Sequence, residues 1–113
     1  MTTATQSRLG GMQIVILLLV VATALVHLGK GVSDGLIMFI ANGLGYLALG
    51  AAAYLPIPPL ANVRRLAKWA LLAFTLVTII GWIFIGERIP LGYIDKAIEV
   101  VLVILLIIDL RRP

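Results

Sequence analysis

The chain has 113 residues, of which 62% are apolar, 12% charged and none cysteine, with a formal net charge of +4 and a mean hydropathy of +1.15. A soluble domain carries about 45–50% apolar and about 25% charged residues, and a chain this short keeps too much of its surface wet to hide the excess. That excludes a separate soluble catalytic domain, and the lack of cysteine excludes disulfides, thiolate catalysis and cysteine-held zinc or iron–sulfur clusters.

Used as punctuation, the charges leave four apolar stretches long enough to cross a bilayer. The first is predicted over 10–29, within a charge-free run from Leu9 to Gly29. Arg8, the apolar run and Ala22-Thr23-Ala24 have the outline of a secretory signal, and the expectation is a retained signal-anchor that forms a true first span. His27, the only histidine, falls near its outer end. One histidine gives no bis-histidine haem or histidine-rich metal site. It leaves room for a single haem or pigment ligand, and no cofactor is otherwise expected. The plainer role is an imidazole bonded to a neighbouring helix or to head groups.

A turn over Lys30–Asp34 leads to the second span, 36–55. Asn42 shares a helical stripe with Tyr46, and an amide at that depth is expected to bond across to another helix. On a separate stripe Ala41, Gly45, Ala48 and Ala52 form a small-residue face suited to close helix packing. The segment 56–63, with Pro56, Pro58 and Pro59, is predicted to be extended, because proline fixes φ and stops a helix.

The third span is predicted over 67–86, with Arg64, Arg65 and Lys68 at its wet start. Thr75, Thr78 and Trp82 share one side of it. The hydroxyls are expected to bond back to their own helix, while Trp82, Trp69, Tyr54 and Tyr93 suit interfacial anchoring. A short turn over Arg88–Leu91 precedes the fourth span, 92–110. This span is the least apolar, because its charge-free run covers only Val100–Ile108 and it takes in Asp95, Lys96 and Glu99.

Glu99 lies about 10 Å into that span at 1.5 Å per residue, where a carboxylate is costly unless it is paired or protonated. A local Lys96–Glu99 pair reaching outward would meet the cost. The sharper expectation is a polar cluster of His27, Asn42, Trp82, Glu99 and Lys96 in the outer half of the bundle, serving either to fix helix register or to work on a solute.

Orientation follows from the bases. Arg8, Arg64, Arg65, Lys68, Arg111 and Arg112 fall on one side, and Lys30, Arg88 and Lys96 on the other. The positive-inside rule puts both termini and the proline loop in the cytoplasm. Arg64, Arg65, Lys68, Arg111 and Arg112 are then expected to contact anionic lipid heads, so the basic balance does not point to nucleic acid. The predicted architecture is an all-α integral membrane bundle of four helices, a single domain made of two αα-hairpins in the cell (inner) membrane.

Two resemblances bear on function. Trp82-Ile83-Phe84-Ile85-Gly86-Glu87-Arg88, followed by an apolar helix, resembles the third and fourth helices of small multidrug resistance transporters. That resemblance implies a proton-coupled glutamate in the middle of helix one, where this chain has no acid. His27-Leu28-Gly29, Asn42-Gly43-Leu44-Gly45-Tyr46-Leu47 and Lys96-Ala97-Ile98-Glu99 resemble uncharacterised small four-helix membrane proteins of prokaryotes, which implies no activity.

The expected role is an accessory or structural subunit packed on a larger membrane complex, or a self-associating one. The alternatives are a small proton-linked transporter using Glu99, with His27 and Asn42 along its path, and a pigment or haem protein through His27. An enzyme is not expected, for no nucleophile–base pair, metal-ligand spacing or phosphate loop is present.

Overall fold

The computed structural model describes residues 10–112; Arg8, counted above for orientation, lies outside them. The described residues are all-helical, with α1 (Gly11–Asp34), α2 (Ile37–Tyr54), a 3₁₀ turn (Pro58–Val63), α3 (Arg64–Ile85) and α4 (Pro90–Arg111).

Each helix packs on two neighbours: α1 and α3 both lie against α2 and α4. The contacts set the directions. Gln13 meets Asp109 and Thr23 meets Glu99, so α1 and α4 run antiparallel. Asn42 meets Thr78 between α2 and α3, and Arg65 meets Leu110 between α3 and α4, with the same sense. Among the described residues the diagonal pairs, α1 with α3 and α2 with α4, make no close backbone approach.

The connections are shorter and more helical than the sequence suggests. α1 runs through the expected Lys30–Asp34 turn and stops at Gly35, whose φ of 68° is the left-handed cap that glycine supplies. Its amide bonds the carbonyl of Gly31. The proline segment is extended only as far as Ile57, after which it coils into the 3₁₀ turn, opened by Pro58. Pro90, likewise, takes the first turn of α4, where its missing N–H costs nothing.

Between the helices lies an apolar plug of Ile16, Val20, Leu71, Leu72, Leu102 and Leu106. α1 and α2 approach closely at Gly43, where an added Cβ would stand 2.9 Å from the carbonyl oxygen of Ala24. The expected small-residue face is divided, with Ala52 packed against the core. Ala41 and Ala48 stay exposed, while Gly45 receives the ring of Phe74 from α3.

Outside, large apolar side chains are exposed on every helix, among them Leu18, Leu44, Val77 and Ile104. Water penalises such a surface and lipid does not. Gly11–Asp34, Ile37–Tyr54 and Pro58–Ile85 are long and apolar enough to cross a membrane. α4 is not among these, owing to its charges. Yet Asp95, Lys96, Glu99 and Asp109 are all buried against the other helices, and Val100, Val101, Ile104, Ile107 and Ile108 face out.

Candidate functional site: a buried carboxylate cluster

The charged residues of α4 form two polar layers, about 15 Å apart for the ten residues between Glu99 and Asp109. Each layer has an acid on α4, a tyrosine on α2, a hydrogen-bond donor on α1 and a lysine.

In the second layer Asp109 is fully served. Gln13 Nε2 donates to its Oδ1 at 2.8 Å, Tyr54 OH donates to Oδ2 at 2.8 Å, and Lys68 Nζ lies 3.0 Å from Oδ2. One carboxylate meets one ammonium. Arg65 donates to the carbonyl of Leu110 at 2.9 Å, closing the end of α4 beside this layer. Tyr54 and Lys68, expected at the membrane surface, thus turn inward, whereas Arg111 and Arg112 remain exposed.

The first layer is richer in acid. Thr23 Oγ1 lies 2.7 Å from Asp95 Oδ1 and 3.0 Å from Glu99 Oε2, and Tyr46 OH donates to Glu99 Oε2 at 2.8 Å. A threonine hydroxyl has one proton to give, so it cannot serve two ionised carboxylates at once. Lys96 Nζ stands 3.3 Å from Asp95 Oδ2 and pairs with Glu99 Oε1. Glu99 has no exposed surface, and at Oε1 the Lys96 ammonium is its only partner. Two carboxylates here share one ammonium.

His27 completes the layer. Its Nδ1–H meets the carbonyl of Thr23 at 2.8 Å, the bond from residue i to i−4 of its own helix. In the neutral ring this places the lone pair on Nε2, which faces Asp95 Oδ2 at 3.7 Å. Phe39 and Tyr46 flank the imidazole at centroid distances of 5.5 and 5.8 Å.

Next to this layer residues of all four helices line a cavity of about 430 Å³, within the range of small-molecule sites. His27, Asp95 and Lys96 are at its polar end, with Phe39, Val77 and Trp82 in its walls. Asn42 donates to Thr78 Oγ1 at 2.9 Å and leaves its own Oδ1 without a partner. Thr75 and Thr78 bond back to Leu71 and Phe74, as their spacing suggests.

Of the expected cluster, then, His27, Lys96 and Glu99 meet, while Asn42 and Trp82 belong to the cavity. The Trp82 indole donates to the carbonyl of Glu87 at 3.1 Å, stacks under Arg88 and meets Tyr93 edge-on. Thr23, Tyr46 and Asp95 were not anticipated. A signal existed: at about 100° per residue Asp95, Glu99 and Asp109 fall within about 80° of one another around the helix.

The described residues thus define a helical protein with three candidate membrane spans and a buried, acid-rich cluster beside a cavity. Comparison with known proteins returns no match: no family model fits the sequence, and no curated protein or solved structure is significantly similar.

Proposed function

We propose that this chain is a small polytopic membrane protein that binds a cation in the layer of His27, Asp95 and Glu99 and carries it across the bilayer. The single observation behind this reading is the imbalance between the layers. Asp109 is matched by Lys68, whereas Asp95 and Glu99 share Lys96. An unmatched buried carboxylate is expensive in hydrocarbon, and a mobile cation arriving through the cavity would remove the cost.

In this reading α4 is the fourth span, its charges turned inward and its apolar face to lipid. The helices cross as two αα-hairpins in the cell membrane, joined through 56–63, with the exposed Arg111 and Arg112 beside cytoplasmic head groups.

The test is flux. Purified protein in liposomes should dissipate an imposed gradient of at least one of Na⁺, K⁺, Mg²⁺ or Mn²⁺ faster than empty liposomes do. Glu99→Gln should abolish the difference while leaving helicity unchanged. Equal rates with and without protein for all four ions would sink the reading.

A second reading, an accessory subunit in a larger complex, draws on Ala41 and Ala48, small residues left exposed on α2. It predicts co-migration with larger partners on native gels of mildly solubilised membranes. Migration only as a small, unaccompanied species would end it.

A further inference from the structure

We infer that the cluster of His27, Asp95 and Glu99 is a site for a divalent first-row transition ion such as Mn²⁺ or Zn²⁺, and that the Lys96 ammonium is its built-in competitor. This deepens the carrier reading by naming the cation class.

The donor set comes first. One nitrogen of His27 and one carboxylate oxygen each from Asp95 and Glu99 lie within 4.8 Å of one another, and all three residues are buried. Zinc takes such ligands at about 2.0–2.2 Å. The set therefore closes on one ion after side-chain movements on the order of 1 Å. Two carboxylates balance a charge of +2. The imidazole disfavours Mg²⁺ and Ca²⁺, which prefer oxygen alone, and the lack of any thiolate disfavours Cu(I).

Two independent features then point at a ligand. The first is the second shell of His27. Its Nδ1–H is tied to the Thr23 carbonyl at 2.8 Å, the arrangement that orients a metal-binding imidazole and commits its other nitrogen to the ion. That Nε2 faces an acceptor, Asp95 Oδ2, at 3.7 Å, a spacing that holds either a ring proton or a metal ion between the two atoms. The second is Glu99. It is wholly buried, its Oε2 is held by Tyr46 and Thr23, and its Oε1 has no partner but the Lys96 ammonium, which a stronger cation can displace.

Lys96 fills the role of the cation in the structure, with its ammonium against both Asp95 and Glu99. It also lines the cavity. A flexible four-carbon stem lets that ammonium swing into the cavity while an entering ion takes the carboxylates. No bond is made or broken in the protein. Binding is an exchange of one cation for another.

The experiment uses the full chain in detergent, titrated with Co²⁺ as a coloured probe and then with Zn²⁺. The expected result is a saturable visible Co²⁺ spectrum, one ion per chain, which Zn²⁺ abolishes. His27→Gln and Glu99→Gln should each weaken Co²⁺ binding by about 10-fold or more. Lys96→Met should strengthen it, because the competitor is gone. Absence of a saturable spectrum in both the native protein and Lys96→Met, each with native helicity, would overturn the assignment. So would a spectrum indifferent to both His27→Gln and Glu99→Gln. Glu99-dependent flux of Na⁺ or K⁺ without Co²⁺ binding would refute the metal site and leave the carrier standing. Tight Co²⁺ binding without flux of any ion would support the site and refute the carrier.

Discussion

Tyr46 and Glu99 are joined by a 2.8 Å hydrogen bond between helices that otherwise make no close backbone approach. Tyr54 and Asp109 repeat the link at the other end of the bundle. The α2–α4 diagonal is thus bridged by two phenols, each reaching over the central apolar plug to an acid. Both tyrosines are fully or almost fully buried, so the links form away from water, where an acid left without its donor is penalised.

The two links should differ in worth. Tyr46→Phe leaves Glu99 Oε2 with only the Thr23 hydroxyl, which Asp95 also claims. Tyr54→Phe leaves Asp109 with Gln13 and Lys68. Tyr46→Phe is expected to cost about 1–2 kcal/mol and Tyr54→Phe about half that. Reversible SDS unfolding of the two variants measures the difference, and a larger loss for Tyr54→Phe would contradict the bonding described.

Lys68 tests the charge balance of the second layer. Lys68→Met strands a buried carboxylate and should cost about 2–4 kcal/mol. The double variant Lys68→Met with Asp109→Asn removes both charges and should recover at least half of that loss. A thermodynamic cycle in one detergent reports the coupling. Simple additivity would show that the pair carries no energy.

Glycine positions separate packing from propensity. At Gly43 an added methyl meets the backbone carbonyl of Ala24 at 2.9 Å and the Leu28 side chain at 2.6 Å. Gly43→Ala should therefore destabilise by about 1–3 kcal/mol. Gly29, also helical, has nothing within 4 Å of such a methyl, and Gly29→Ala should stabilise by up to about 1 kcal/mol through helix propensity. Thermal denaturation followed by circular dichroism should give shifts of opposite sign.

Because the chain has no cysteine, single cysteines report topology without background. Ser33→Cys should react with a membrane-impermeant maleimide on intact cells, and Asn62→Cys only after permeabilisation. Val100→Cys, on the exposed apolar face of α4, should resist the reagent in both states, as a lipid-facing position must. Ready labelling at Val100→Cys would place α4 outside the bilayer and remove the fourth span.

The legible parts of this molecule were those that depend on position along the chain. Apolar run lengths located four helices and the prolines marked where they change, but α1 runs on through the expected Lys30–Asp34 turn to a cap at Gly35. Lys96 and Glu99, three residues apart, were readable as a pair. Partners around a helix were harder to read. A helix apolar on all sides has no strong moment to say which way Tyr54 or Lys68 points, and both, expected at a membrane surface, turn to Asp109 instead.

The apolar excess, the four helices and the place of each charge along them follow from composition and a fixed rise per residue, and all were legible in the chain. That Thr23, His27, Tyr46, Asp95 and Glu99 share one layer while Asp109 has another emerges only on packing. These residues sit on three different helices, and their meeting depends on the rotation and register of packed cylinders. No spacing within one chain segment encodes that register. Helix contacts such as Gly43 against Ala24 fix it, and the cost of an unpaired charge in an apolar bundle then turns every acid of α4 inward.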